Sequence, residues 1–190
     1  MISAFCGNFA SSGAVAVITT RLSSYLKEVF GASVGVGVGV SLGDALTSGV
    51  GVAVASRFGK SILELGGNNA IIISDTAQLQ LVLPAIVFGA VGTAGQRCTT
   101  TRRLIIHEKI YDDVKAVLKK AYTQLRIGNP LDQNNHIGPL IDQKAVEAFL
   151  YAIRQVKKEG GKILVPGSRL EGKNYQSGCY VSPCIAEVEN

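Results

Sequence analysis

The sequence predicts an α/β fold with a largely parallel sheet. From residue 57 onward, short apolar segments alternate with longer segments in which apolar residues recur at helical spacing. Glycine-rich or turn-rich stretches separate these segments, and strands joined through helices run parallel within a sheet. At 190 residues the chain is long enough for one domain with a core, or for one domain and part of another.

The first 56 residues give two further predictions. Residues 14–29 place apolar side chains at helical spacing, with charged residues on the other side, and predict a helix. Residues 33–40 alternate valine and glycine, a period of two that predicts a strand, although each glycine weakens it. These glycines do not satisfy the GxGxxG spacing anywhere in residues 31–51, so they do not indicate a nucleotide site.

The next predicted elements are a strand and a long helix. Residues 70–73 are apolar and predict the strand. Asp75 and Gln78, three positions apart, match a capping box and predict a helix over residues 75–91, with Pro84 inside it.

The remaining elements continue the alternation of strands and helices. We expect a glycine-rich break at 92–95, a strand at 103–107, an amphipathic helix at 108–125, a turn-rich connection at 127–139, an amphipathic helix at 140–158 and a strand at 162–165. In the first of these helices, Val114, Val117 and Leu118 fall on the predicted inner face.

The net charge of +5 does not by itself indicate a nucleic-acid partner. The 19 lysines and arginines are scattered, several of them as pairs such as Arg102-Arg103, which we interpret as solvated faces or partners of helix ends. No apolar run reaches the roughly 18 to 20 residues that span a bilayer. The sequence therefore predicts neither nucleic-acid binding nor a membrane segment.

One of the four cysteines stands in a setting suited to chemistry. The cysteines form no CxxC pair and no ligand pattern with the two histidines, so no metal site is predicted. Cys98 follows a glycine break in VGTAGQRCTTTRR, and the adjacent Arg97 supplies the positive charge that favours a thiolate. The alternative role of a cysteine is that of a small buried apolar residue, and we assign it to Cys6, Cys179 and Cys184.

A second unusual stretch is LELGGNNA, residues 63–70. Glu64 stands between two leucines just before a glycine pair and a predicted strand. A carboxyl group held by apolar neighbours is suited to taking and returning protons near neutral pH. The alternative is a solvated glutamate at the start of a strand.

Taken together, the two stretches resemble the signature motifs of the aldehyde dehydrogenase superfamily, a glutamate followed by Leu-Gly-Gly and the cysteine motif Gly-Gln-x-Cys. Glu64 and Cys98 are 34 positions apart, which matches the spacing in that family. The segments RFGKSILELGGNNAIII, AVGTAGQRCTTTRRLIIHE and LKKAYTQLRIGNPLD resemble the antiquitin branch, known as α-aminoadipic semialdehyde dehydrogenase. Close similarity covers residues 57–166.

The resemblance implies NAD-dependent oxidation of an aldehyde, such as α-aminoadipic semialdehyde, to a carboxylate through a cysteine thioester. Cys98 would be the nucleophile, and Glu64 would activate the hydrolytic water. The main-chain carbonyl of Leu65 would orient the nicotinamide, and Arg97 would pair with a distal carboxylate of the substrate. The family's full-length members are expected to be homo-oligomers in the cytoplasm or mitochondria.

The resemblance also implies a domain organisation. Residues 1–63 would be a truncated, divergent remnant of a Rossmann-type NAD-binding domain, and residues 64–190 the first part of the α/β catalytic domain. The family's oxyanion asparagine would lie before Met1, and neither the ribose-binding lysine nor the pyrophosphate-binding turn stands at its expected place. We therefore expect little or no NAD-dependent turnover of an aldehyde by the isolated chain. Two alternatives stay open, an inactive chain that associates with full-length subunits and a small binding domain with accidental motif matches.

Overall fold

The computed structural model describes residues 66–188 together with 15–20, 53–54, 56–60 and 62, and of residues 15–20 it describes the backbone alone. In chain order the elements are β1 (Val15–Thr20), β2 (Asn69–Ile73), α1 (Leu79–Val91), β3 (Thr101–Ile106), α2 (Tyr111–Thr123), α3 (Gln143–Lys158), β4 (Lys162–Val165), β5 (Ser168–Arg169), β6 (Val181–Ser182) and β7 (Cys184–Val188). Within these residues, 3₁₀ turns lie at Gly92–Gly95, Glu108–Ile110 and Lys173–Tyr175.

The main sheet of the described chain has the strand order β2-β3-β1-β7-β4. β1 runs parallel to both of its neighbours, β3 and β7, and β2 runs parallel to β3. β4 pairs antiparallel with β7 at one edge, and β5 pairs antiparallel with β6 in a separate small sheet. The predicted α/β fold with a largely parallel sheet is therefore confirmed.

The core forms where the helices meet this sheet. Its fully buried side chains come from strands β2, β3 and β7 and from all three helices, and the largest are Phe149, Ile73, Ile86, Leu104, Ile106, Leu118 and Ile185. Burying one such side chain stabilises the fold by roughly 1.5–3 kcal/mol relative to leaving it in water. This packing holds β2 and β3, the two strands that follow the Glu64 and Cys98 motifs.

The predicted helix over residues 14–29 is wrong at its start, because Val15–Thr20 is a β-strand. All but one of the six residues VAVITT are β-branched, and such side chains lose rotamer freedom in a helix and suit a pleated strand. The strand pairs on both sides, with Val17 opposite Arg103 of β3 and Ala186 of β7. The rest of that segment and the predicted strand at 33–40 lie outside the described residues.

The predicted capping box of α1 is also wrong. The helix begins at Leu79 rather than at Asp75, and Gln78, which precedes it, makes no side-chain hydrogen bond to the helix end. The Asp75 carboxylate instead lies 3.5 Å from the ammonium group of Lys109. Pro84 falls inside α1 as predicted, although it cannot donate a backbone hydrogen bond there.

Helix α2 is confirmed with a later start, at Tyr111. The residues before it form the 3₁₀ turn Glu108–Ile110, in which the ring Nδ1 of His107 accepts a hydrogen bond from the backbone of Lys109. On α2, Val114 and Leu118 are buried as predicted. Val117 was also predicted to face inward, but it is 45% exposed beside α1.

Helix α3 and the elements around it follow the prediction closely. It begins at Gln143, because the Asp142 carboxylate accepts a 2.8 Å hydrogen bond from the Ala145 amide and caps the helix there. The predicted break at Gly92–Gly95 is a 3₁₀ turn, and the predicted strand at 162–165 is β4.

The register of β2 and β3 brings two distant segments together. Asn69, the first residue of β2, is opposite Thr101, the first residue of β3. Because the two strands are parallel, the segments that precede them lie at the same edge of the sheet. Residues 66–68 and 96–100 therefore meet there.

Candidate active site

Cys98 lies in an exposed turn directly before β3. The turn is approached through a left-handed stretch in which Thr93, Ala94 and Gly95 have φ values of 55°, 53° and 72°. Only the glycine adopts this conformation without steric cost. The stretch ends α1 and redirects the chain toward the sheet edge, so that the cysteine is reachable from solvent.

The Leu-Gly-Gly segment touches this turn directly. The side-chain amide of Asn69 donates a 2.7 Å hydrogen bond to the carbonyl of Cys98 and a 3.4 Å one to the carbonyl of Thr100. A Cβ placed on Gly67 would lie 2.3 Å from the Cys98 carbonyl oxygen, so only glycine fits there. The two predicted motifs are therefore in van der Waals contact through Gly67 and Cys98.

A buried arginine joins the same two segments. Arg102 is 4% exposed, and its guanidinium donates to the carbonyls of Gly67 and Gly95, each at 3.3 Å. Burial lowers the pKa of Arg102, although a guanidinium keeps its charge under ordinary conditions. The interpretation of the Arg102-Arg103 pair as a solvated face is wrong for Arg102.

The backbone amides next to Cys98 are used within the turn. Around it, the Gln96 amide donates to the Thr93 carbonyl at 3.1 Å, the Arg97 amide donates to Thr100 Oγ1 at 3.0 Å, and the Thr100 amide donates to the Arg97 carbonyl at 3.1 Å. The backbone N–H of Cys98 has no acceptor among the described residues. Free backbone amides are the donors from which oxyanion holes are built.

The side chain of Arg97 folds back over the end of α1. Its Nη2 donates a 2.9 Å hydrogen bond to the Phe88 carbonyl, and its guanidinium carbon lies 4.7 Å from the centre of the Phe88 ring. A Cβ on Gly92 would lie 2.2 Å from Arg97 Nη2, so the absence of a side chain at Gly92 leaves room for the guanidinium. The predicted contact of Arg97 with a substrate carboxylate stays a prediction.

Glu64 and Leu65 lie outside the described residues, so their predicted roles stay predictions. The neighbouring Gly66 is exposed, and Gly67 is the residue that packs against Cys98. Gly67 is three positions after Glu64 in the sequence.

The other described cysteines differ from Cys98 in their surroundings. Cys184 is fully buried in β7, and burial raises the pKa of its thiol to about 11, as expected for an apolar structural residue. Cys179 is half-buried, and its sulfur lies 3.4 Å from the amide nitrogen of Gln143. Cys6 lies outside the described residues.

An apolar groove of about 600 Å³ runs between α1 and α2 and does not include Cys98. Its walls are formed mainly by aliphatic and aromatic side chains: Leu83, Val87, Phe88, Val91, Val117 and Leu125. Gly92 and Thr93 lie at its end and connect it to the turn that leads to Cys98. Among the described residues, no cluster of His, Cys, Asp and Glu could hold a metal ion, and no helix is long and apolar enough to cross a membrane.

Sequence reasoning missed three residues that shape this site: Asn69, Gln96 and Arg102. The asparagine pair after Gly-Gly was visible in the sequence, but its partner is 29 positions away. The Gln96 side chain bonds to residues 43 and 45 positions further on, which no local pattern reveals. The parallel pairing of β2 and β3 explains the contacts of Asn69 and Arg102, whereas the contacts of Gln96 depend on the position of residues 139–141.

Fold and site together define an α/β protein in which Gly67 and Asn69 meet the turn of the glycine–cysteine motif at the edge of a parallel sheet. The family model described as "Aldehyde dehydrogenase family" matches residues 13–190. The chain belongs to the aldehyde dehydrogenase family, and the predicted resemblance is confirmed.

Two of its curated relatives are similar over the same part of the chain. It is 53% identical over 136 residues to α-aminoadipic semialdehyde dehydrogenase of Bos taurus, covering 72% of this chain and 24% of that protein. It is 55% identical over 138 residues to a putative aldehyde dehydrogenase family 7 member A1 homolog of Caenorhabditis elegans, covering 72% and 25%. The antiquitin branch predicted from the motifs is thus confirmed, and the chain spans about a quarter of the length of these relatives.

Solved structures of aldehyde dehydrogenases share the fold. Lactaldehyde dehydrogenase from Escherichia coli superposes with a TM-score of 0.65 at 27% identity, covering 91% of this chain and 31% of that one. Apo betaine aldehyde dehydrogenase from Staphylococcus aureus, at 22% identity, gives a TM-score of 0.66 and covers 95% and 32%. The likeness confirms the aldehyde dehydrogenase-like fold class.

Proposed function

We propose that the chain contributes the thiol centre of an NAD-dependent aldehyde dehydrogenase that oxidises an aldehyde to a carboxylate. The observation that carries this proposal is the contact of Gly67 and Asn69 with Cys98, because it joins the two signature motifs. We further propose a semialdehyde such as α-aminoadipic semialdehyde as substrate, after the activity named for the Bos taurus relative. Homo-oligomeric assembly of the full-length enzyme and an intracellular location belong to the same proposal.

In the proposed reaction the sulfur of Cys98 bonds to the aldehyde carbon, and the carbonyl oxygen becomes an oxyanion held by the free amide of Cys98. Loss of hydride from that carbon leaves a thioester on Cys98. Glu64 then takes a proton from water, the water oxygen attacks the thioester carbon, and the carbon–sulfur bond breaks to release the carboxylate. Arg97, next to the nucleophile, is proposed to pair with a distal substrate carboxylate.

We propose that the nicotinamide end of the cofactor binds beside Gly66 and Cys98. Gly66 and Cys98 are both exposed, so the main chain beside Leu65 and the nucleophile are open on the surface. NAD would supply the hydride acceptor, and we propose that the Leu65 carbonyl holds its carboxamide. The described residues show no glycine cradle for the pyrophosphate.

Selective alkylation tests whether Cys98 is a positioned nucleophile. We expect Cys98 to react with iodoacetamide several-fold faster in the folded chain than in the urea-unfolded chain, as mass spectrometry of the modified peptides would show, because the turn holds the sulfur exposed beside a free backbone amide. Cys179 and Cys184 serve as internal controls and are expected to react more slowly in the folded chain. A Cys98 that is no faster when folded than when unfolded contradicts the proposal.

A second candidate function is an inactive chain that associates with full-length subunits. The observation that favours it is the apolar surface beside the groove, where Phe88 is 66% exposed and Val117 is 45% exposed. Co-expression with a full-length relative separates the two candidates. Copurification without any gain in NAD-dependent aldehyde oxidation would favour the inactive partner.

A further inference from the structure

The left-handed stretch before Cys98 needs contacts that hold it. Thr93 and Ala94 both adopt positive φ, a conformation that is sterically unfavourable for a residue with a Cβ. Ala94 is only 3% exposed, and Arg102 binds the Gly95 carbonyl from the sheet side. These contacts fix one side of the stretch.

Gln96 holds the other side with its side-chain amide. Its Nε2 donates to the Thr93 carbonyl at 3.1 Å and to the Pro139 carbonyl at 3.3 Å, and its Oε1 accepts from the Ile141 amide at 2.9 Å. Both ends of the amide are therefore used, and they tie the stretch to residues 139–141. No other residue type of the same length presents two donors and an acceptor in this arrangement.

Residues 139–141 are held by the burial of Leu140 and by its backbone hydrogen bond. Leu140 is 2% exposed in the core, and its amide donates a 2.8 Å hydrogen bond to the Cys179 carbonyl. The side chain of Gln96 thus connects the turn to the packed interior.

We infer that Gln96 is a positioning residue for Cys98. This inference rests on the proposed function, in which Cys98 is the nucleophile. The restrained stretch sets the path of the next two residues, and Arg97 and Thr100 close the turn around Cys98 through their mutual hydrogen bonds. Gln96 therefore fixes the direction of the Cys98 sulfur and of its free amide, and misplacement of either slows attack on a carbonyl.

The first arm of the test measures amide hydrogen exchange in the 190-residue chain. It compares the variants Gln96→Met and Gln96→Glu with a control, Gln80→Met, which changes an exposed glutamine on α1. Methionine keeps the volume of glutamine without its hydrogen bonds. We expect Gln96→Met to lower the protection of the Ile141, Arg97 and Thr100 amides about tenfold or more, since each lost bond weakens the turn. Glutamate keeps the acceptor for Ile141 but has no donor when ionised. Gln96→Glu should therefore preserve the protection of the Ile141 amide and lower that of the Arg97 and Thr100 amides.

The second arm measures acylation of Cys98 by p-nitrophenyl acetate, which needs no cofactor. We expect Gln96→Met to lower the limiting acylation rate about tenfold, to leave the half-saturating ester concentration unchanged, and to match Gln80→Met in thermal stability. Unchanged protection at Arg97 and Thr100, or an acylation rate equal to that of the wild type, would overturn the inference. If the wild-type chain itself shows no acylation of Cys98, the proposed function fails, while the exchange pattern still decides whether Gln96 holds the turn.

Discussion

At the scale of single residues, the site depends on close backbone approach. Gly67 lies where any side chain would collide with the Cys98 carbonyl, and Asn69 and Arg102 bind the carbonyls that surround it. In the proposed reaction, the free backbone amide of Cys98 would be the preset donor that meets the charge developing on the substrate oxygen.

Replacing Gly67 by alanine tests this approach. The added methyl would lie 2.3 Å from the Cys98 carbonyl oxygen, so the turn must shift. We expect the free energy of unfolding to fall by about 1–3 kcal/mol, and the alkylation rate of folded Cys98 to fall with it. Gly138→Ala is the matched control, because its methyl would meet only Pro130 carbons at 3.4 Å or more. Equal stability and equal Cys98 reactivity in the two variants would contradict the close approach.

At the scale of elements, a partly buried ion pair links helix α2 to strand β7. Lys115 lies 2.7 Å from the Glu187 carboxylate, and the hydroxyl of Tyr111 donates to the same oxygen. Burial alone would raise the pKa of Glu187, but the hydrogen bonds from Lys115 and Tyr111 and the charges of Lys115 and Lys162 outweigh it and lower the pKa. The same carboxylate, together with burial, raises the pKa of Tyr111.

The lowered pKa of Glu187 predicts a stability that depends on pH. A carboxyl whose pKa is lower in the folded chain stabilises the fold above its unfolded pKa of about 4.3, and this contribution is lost as pH falls through the folded value. We expect Glu187→Gln to cost about 1–2 kcal/mol at neutral pH, with the difference shrinking in acid, as measured by urea unfolding across pH.

The control for this prediction is Asp75→Asn. Asp75 forms a longer, more exposed pair with Lys109 at 3.5 Å, and such pairs contribute between nothing and about 1 kcal/mol. If Glu187→Gln lowers the free energy of unfolding no more than Asp75→Asn does at neutral pH, the ion pair between Lys115 and Glu187 does not stabilise the packing of α2 against β7.

At the scale of the whole molecule, the order and direction of the strands bring the segments of the candidate site together. Local patterns predicted β2, β3, β4 and the three helices to within a few residues, because α2 and α3 have a clear apolar periodicity and β2 is a short apolar run. Helix α1 was predicted from a capping box that does not form. They failed at Val15–Thr20, where a short run of β-branched residues overlaps a helical spacing and sheet pairing decides. They also failed for Arg102, because the burial of a charged residue is set by contacts from distant segments.

The candidate site was predictable only in part for the same reason. The Cys98 motif and the Leu-Gly-Gly segment are local and could be found in the sequence. The contacts that join them cross 29 to 35 positions and arise from the parallel register of two strands. The roles of Gln96 and Asn69 therefore became visible only with the fold.

Ester turnover tests most directly whether Cys98 and Glu64 act on one carbonyl carbon, as we propose. With p-nitrophenyl acetate we expect a burst of p-nitrophenolate equal to the amount of chain, followed by steady release. Cys98→Ser should abolish the burst, and Glu64→Gln should keep the burst but slow the steady phase about 100-fold or more, because the acyl group then stays on the sulfur. A burst that survives in Cys98→Ser, or a steady phase unchanged in Glu64→Gln, would contradict the account.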